Sequence, residues 1–235
     1  MQLRRGPQGR GGGIVEKVES FRCKLVSWDD ISKWTAQVAK KIRASDIHPS
    51  VIIGLTRGGW VPARLLCDHL KVKKLYAVKT EHWGVTANPD GKALLTQELN
   101  ISIEPDNVLA VDDITDTGES LTLAMAHLSI MHPRQLHSAT LLHITHSKFQ
   151  PDFYSVEVPK AKWTWFIFPW NLNEDLRTLT AKTMQAPVNV SGIRAAFKKQ
   201  FQIEPSDEMV KSALVELEAE GKVMHRGGTW EKRSN

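Results

Sequence analysis

The chain has 235 residues, 41% apolar and 24% charged, with a formal net charge of +5 at pH 7. That length suits one catalytic-sized domain plus a small appendage. No apolar run approaches the ~20 residues that span a bilayer, and no apolar stretch of a secretory signal follows the basic N-terminus, so a soluble, cytoplasmic protein is expected, with no membrane partner. The positive charge suits nucleic acid and small polyanions equally and does not choose between them.

Residues 1–13, rich in glycine and arginine and without hydrophobic periodicity, read as a disordered basic tail. Phe21–Trp28 reads as a short strand. Ser27 and Asp30 have the spacing of a capping box, opening a helix that runs to Ser45 with Ile31, Trp34, Val38 and Ile42 on one face. A buried strand follows at Val51–Leu55. Thr56-Arg57-Gly58-Gly59 then leads into a helix over 59–70, which holds Cys67; this cysteine and Cys23 both sit in apolar segments and are read as packing residues. Further strands fall at 71–80 and at Val108–Asp113, the latter ending in two acids, with a helix over 118–131 and a strand over 136–145. Two short β segments, 154–159 and 162–168, complete one doubly wound domain in this reading.

Residues 80–107 interrupt the rhythm: Asn88-Pro89-Asp90-Gly91 is a turn between two segments able to pair as a hairpin, and so long an excursion reads as a lid. From Val188 a separate pattern begins. A helix ending near Phe201, a second helix capped by Ser206 and stopped by Gly221, and a hairpin turning on Gly227-Gly228 make a winged-helix-like unit. It either contacts nucleic acid or only packs. The nine histidines show no zinc spacing, and no structural metal is assigned.

The chemistry is concentrated in Val108–Leu121, VLAVDDITDTGESL. An apolar strand delivers Asp112 and Asp113 to the carboxyl edge of the sheet, where open α/β folds bind ligands. The following turn offers backbone N–H groups, hydroxyls and the positive end of a helix dipole to a phosphate, and Gly118 permits close backbone approach. The two acids can accept hydrogen bonds from vicinal ribose hydroxyls and help to hold a hard cation.

This segment resembles the signature by which type I phosphoribosyltransferases bind 5-phosphoribosyl 1-pyrophosphate (PRPP): four hydrophobic residues, two acids, two more residues, then Asp-Thr-Gly. The fold so implied is α/β, a twisted and mainly parallel sheet flanked by helices with a hood or lid over residues 20–180, plus the small unit at 188–235. By resemblance Asp112 and Asp113 contact the ribose and Mg2+, partly through water, while Asp116, Thr117, Gly118, Glu119 and Ser120 wrap the 5′-phosphate. Glu119 departs from the pattern: its carboxylate would repel a phosphate, so its backbone N–H is the expected donor. Asp116 is also the expected acceptor of the purine N7 proton.

Thr56, Arg57, Gly58 and Gly59 resemble the pyrophosphate loop of bacterial xanthine-guanine phosphoribosyltransferases, which implies a cis peptide before Arg57 and a catalytic role for its charge. Trp165 and Phe166 resemble the same enzymes' base-stacking segment, and Lys148 resembles the lysine that donates to the oxygen at C6 of a 6-oxopurine. The resemblance covers roughly residues 25–175. It implies an Mg-dependent transferase of purine salvage that turns hypoxanthine, guanine or xanthine plus PRPP into nucleoside 5′-monophosphate and pyrophosphate, assembled as a homo-oligomer, a dimer being the first expectation. The alternative is a PRPP-responsive regulator that binds nucleic acid through residues 188–235.

Overall fold

Alternating apolar runs and amphipathic stretches become strands and helices nearly where the pattern places them. The computed structural model describes residues 20–82 and 93–233; the expected tail at 1–13 and the Asn88–Gly91 turn lie outside them. Two compact units divide the chain, one from Lys24 to Leu172, the other combining residues up to Cys23 with those from Asn173 on.

In the larger unit the strands are β1 (Cys23–Leu25, at the boundary), β2 (Val51–Thr56), β3 (Lys74–His82), β4 (Ala93–Gln97), β5 (Asn107–Thr115), β6 (Gln135–Ile144), β7 (Phe153–Val158) and β8 (Trp165–Ile167). Its helices are α1 (Trp28–Arg43), α2 (Trp60–Leu70) and α3 (Glu119–Ser129). Ser27 and Asp30 do form a capping box on α1, whose apolar face is buried. Six strands make one sheet in the order β4-β3-β2-β5-β6-β7. All neighbours are parallel except β3 and β4, the antiparallel pair that the interrupting segment contributes.

Pleating separates the two cores. Val51, Ile53, Leu55, Val108 and Ala110 pack with Leu121, Ala124 and Leu128 of α3 on one face. Ile52, Leu109 and Val111 pack with Val38, Ile42, Ala63 and Leu66 of α1 and α2 on the other. Strands buried on both faces read as unbroken apolar runs, as β2 and β5 do. β8 lies outside the six-stranded sheet and pairs with β1. Pro159 and the 3₁₀ turn Lys160–Lys162 end the run of β7 and redirect the chain before β8 begins.

The smaller unit contains α4 (Leu172–Thr183, from its second residue on), α5 (Val190–Phe201), α6 (Asp207–Ala219), β9 (Val223–Arg226) and β10 (Thr229–Lys232). Val188 bridges to Trp230, which adds a short antiparallel contact to the β9–β10 hairpin. Gly227 and Gly228 both have positive φ, as a two-residue hairpin turn of this hand requires. Burial, reinforced by Asp175, pushes the Cys23 thiol up to about 12, so it packs rather than reacts. Among the described residues no helix is long and apolar enough to cross a membrane.

Candidate active site

β5 carries the two acids to the sheet edge and holds them there. The Asp113 backbone N–H donates to Asp112 Oδ1 at 2.9 Å, and Asp113 Oδ1 accepts from Ile114 N–H at 2.8 Å. Asp113 Oδ2 accepts from Trp170 Nε1 at 3.2 Å. Burial pushes both carboxyls upward, Asp112 well above the ordinary range with the neighbouring Asp113 charge adding to it, and Asp113 to about 6.

A cavity of about 220 Å³ is lined by residues 112–121, so both acids, Asp116, Thr117, Gly118, Glu119 and Ser120 border one space. Gly118 stands at φ +84, and a Cβ there would lie 2.5 Å from Ser147 Oγ. The turn is fixed from behind: Lys148 N–H donates to Thr117 O at 3.1 Å, and Glu119 N–H to Thr117 Oγ1 at 3.3 Å. α3 begins at Glu119 and presents its positive end to that space.

The loop after β2 presses against the same acids. The Thr56–Arg57 peptide is cis, as the sequence implied. A Cβ on Gly58 would stand 2.2 Å from Asp113 Oδ2, and one on Gly59 2.3 Å from Val111 O and 2.7 Å from Asp112 Cα. Only glycines allow the two strand-to-helix turns to meet at this distance. Arg57 is exposed, and Thr56 Oγ1 donates to Val78 O at 3.2 Å.

Asp116 is held by two side chains that sequence reasoning missed. His146 Nε2 lies 2.9 Å from its Oδ1, and Trp163 Nε1 lies 3.3 and 3.4 Å from its two oxygens. Lys148, Trp165 and Phe166 are not among the residues lining the cavity. Lys148 is exposed, Trp165 is half-buried, and Phe166 packs against a core that includes Trp34 and Leu141. Two indoles that donate to the acids are those of Trp163 and Trp170, flanking the Trp165–Phe166 pair singled out from sequence. Their signal was the density of tryptophan between 163 and 170; which indole points inward depends on the path after Pro159.

Two adjacent carboxylates fit a hard divalent cation that takes the rest of its oxygen ligands from a phosphorylated substrate and water, as Mg2+ does. Among the described residues no group of three or more His, Cys, Asp or Glu is placed to hold a metal. A larger hollow of about 370 Å³ in the smaller unit is lined by Arg177, Lys182, Lys222 and Lys232 around Glu220, and Glu220 is paired with Arg177 and, at 2.7 Å, with Lys222. It has no acid pair and no helix start at its wall, and it is set aside as a phosphate-transfer site.

The strained charge of Asp113 has a measurable consequence. Its pKa rises from 3.8 unfolded to about 6 folded, so the folded state binds more protons and stability falls as pH climbs through that window. The cost, complete above the folded value, is on the order of 3 kcal/mol. D113N should therefore raise Tm by roughly 5–10 °C at pH 8 and much less at pH 4, where the folded protein holds Asp113 uncharged. Thermal melts of the two proteins at both pH values check this, and an equal shift at both would reject the assignment of the cost to buried charge.

A glycine turn opening a helix, an acid pair on the strand before it and a second glycine turn packed on both meet at one edge of a mainly parallel α/β sheet. The family model described as a phosphoribosyl transferase domain matches residues 27–175, and the chain belongs to that family. It is similar to the xanthine-guanine phosphoribosyltransferases of Cereibacter sphaeroides, 27% identical over 152 residues (63% of this chain, 86% of the relative), and of a Ruegeria species, 28% identical over 160 residues (63% and 84%). Among solved structures, the purine phosphoribosyltransferase of Pyrococcus horikoshii shares the fold with a TM-score of 0.54 at 24% identity, covering 63% of this chain and 93% of that one. The family match ends at Asp175, so most of the smaller unit lies beyond it.

Proposed function

We propose that the protein transfers the phosphoribosyl group of PRPP to a 6-oxopurine in purine salvage. A base nitrogen forms a bond to C1′ as the bond from C1′ to the pyrophosphate oxygen breaks, and nucleoside 5′-monophosphate and pyrophosphate leave. The observation that carries this reading is the meeting of the two turns, with Gly58 and Gly59 against the Asp112–Asp113 pair beside the 112–121 cavity. The names of the relatives support a purine acceptor.

In this mechanism the amides of residues 117–120 and the Ser120 hydroxyl bind the 5′-phosphate, and Asp112 and Asp113 accept from the ribose hydroxyls. Thr56, Arg57, Gly58 and Gly59 bind the pyrophosphate, and the Arg57 charge offsets that of the departing group. Asp112 and Asp113 would also hold Mg2+, which, when bound, supplies further charge neutralisation at the phosphates. Asp116 accepts the N7 proton, making the base a better nucleophile. Lys148 swings from solvent to the C6 oxygen and Trp165 stacks on the ring.

The regulator alternative has less support, because α6, the helix that a winged helix lays on nucleic acid, carries Asp207, Glu208, Glu216 and Glu218 against Lys211 alone. The test is product formation from PRPP, Mg2+ and hypoxanthine, guanine, xanthine or adenine in parallel, each nucleotide resolved by chromatography. Turnover of one or more 6-oxopurines in preference to adenine is expected. PRPP binding without turnover of any base would reject the proposal.

A further inference from the structure

We propose that His146 is a positioning residue for Asp116: its Nε2–H fixes the carboxylate in the orientation that receives the purine N7 proton. The inference rests on the purine-transferase reading above. His146 stands two residues beyond β6, on a turn stitched to its surroundings. Thr145 N–H donates to Val158 O at 3.0 Å, Ser147 N–H to Ile144 O at 2.9 Å, and Lys148 N–H to Thr117 O at 3.1 Å. Thr117 is the next residue after Asp116, so the imidazole and the carboxylate it meets ride on backbones tied to each other. The same turn places Ser147 and Phe149 against Gly118.

A carboxylate only accepts, so the nitrogen 2.9 Å from Asp116 Oδ1 must be the one bearing hydrogen. The opposite nitrogen, Nδ1, is buried and has no protein partner among the described residues, so no competing protein contact turns the ring away from Asp116. Trp163 Nε1 approaches both oxygens of Asp116 from a second direction, at 3.3 and 3.4 Å. Two donors from two separate segments stop rotation of the carboxylate and leave the remaining lone pairs for a base in the cavity. A group that must meet a proton at hydrogen-bond distance loses rate steeply when its angle is free, so the expected signature lies in kcat rather than in PRPP binding.

The test compares H146A, H146Q and H146N in the full chain, each checked for an unchanged circular dichroism spectrum. The amide nitrogen of glutamine reaches the place of Nε2, and that of asparagine only the place of Nδ1. With the base that wild type uses best, H146A should lower kcat by about 10-fold or more with KM for PRPP within about 2-fold; H146Q should recover most of the loss and H146N should not. Undiminished kcat in H146A, or equal activity of the Gln and Asn variants, overturns the proposal. An inactive wild type instead sinks the acceptor reading, and this role with it. A readout independent of turnover is the nitrogen NMR spectrum of the histidine rings, with His146 identified by its loss in H146Q. Protonation at Nε2, perturbed in D116N, is expected; a ring protonated only at Nδ1 overturns the contact.

Discussion

Asp116→Asn should lower kcat by about 10³-fold while leaving PRPP affinity within about 3-fold of wild type. The amide has nearly the shape of the carboxylate and its oxygen still accepts from His146 or Trp163, so the fold and the phosphate loop are preserved. What disappears, in the proposed mechanism, is the basic oxygen that takes the purine proton, together with the charge that stabilises the base as it becomes cationic. About 4 kcal/mol of barrier corresponds to that loss. Single-turnover product formation and calorimetric titration with PRPP separate the two quantities. An equal fall in both would mean that Asp116 serves the phosphate loop alone, and an unchanged kcat would remove it from the chemistry.

Gly59→Ala should be the most damaging single-methyl change in the larger unit. The added Cβ would stand 2.3 Å from Val111 O, 2.7 Å from Asp112 Cα and 2.8 Å from Leu55 O. All three are backbone atoms of β2 and β5, which are paired to each other, so none can retreat without opening that ladder. The backbone of Gly59 itself, at φ −70, would accept alanine. The penalty is therefore steric, about 3 kcal/mol or more, and Tm should fall by roughly 10 °C. Because the displaced atoms include the Cα of Asp112, PRPP affinity should fall by at least about 10-fold in the protein that remains folded. Differential scanning calorimetry and PRPP titration measure the two effects. A stable variant with wild-type affinity would show that the two turns do not have to touch.

Much of this was legible beforehand because it depends on neighbours in sequence. The capping box at Ser27 and Asp30, the buried stripe of α1, the double-positive hairpin turn at Gly227-Gly228 and the glycine turn after β5 each involve residues a few positions apart, where local hydrogen bonds and backbone conformation decide. α4 escaped the sequence reading although Leu172, Leu176 and Leu179 have helical spacing. Its other buried positions are Thr180 and Thr183, which blur the apolar stripe, and threonine is a weak helix former. β8 was legible as a strand but its pairing with β1 was not, because alternation identifies a strand without naming its partner.

The sequence by itself determined a doubly wound α/β domain, the order of its strands along the chain, and the two glycine-bearing strand-to-helix turns, since hydrophobic period and glycine placement are properties of short windows. Only the tertiary structure decided what surrounds the acids. His146 reaches Asp116 across 30 positions, Trp163 across 47, and Trp170 reaches Asp113 across 57. Such contacts depend on how β6 ends and on where the chain turns after Pro159, and a single side chain of either type carries no period that would mark it in advance. The charge on Asp113 was legible as a residue, but its cost was not, because desolvation is set by everything packed around the group rather than by the group itself.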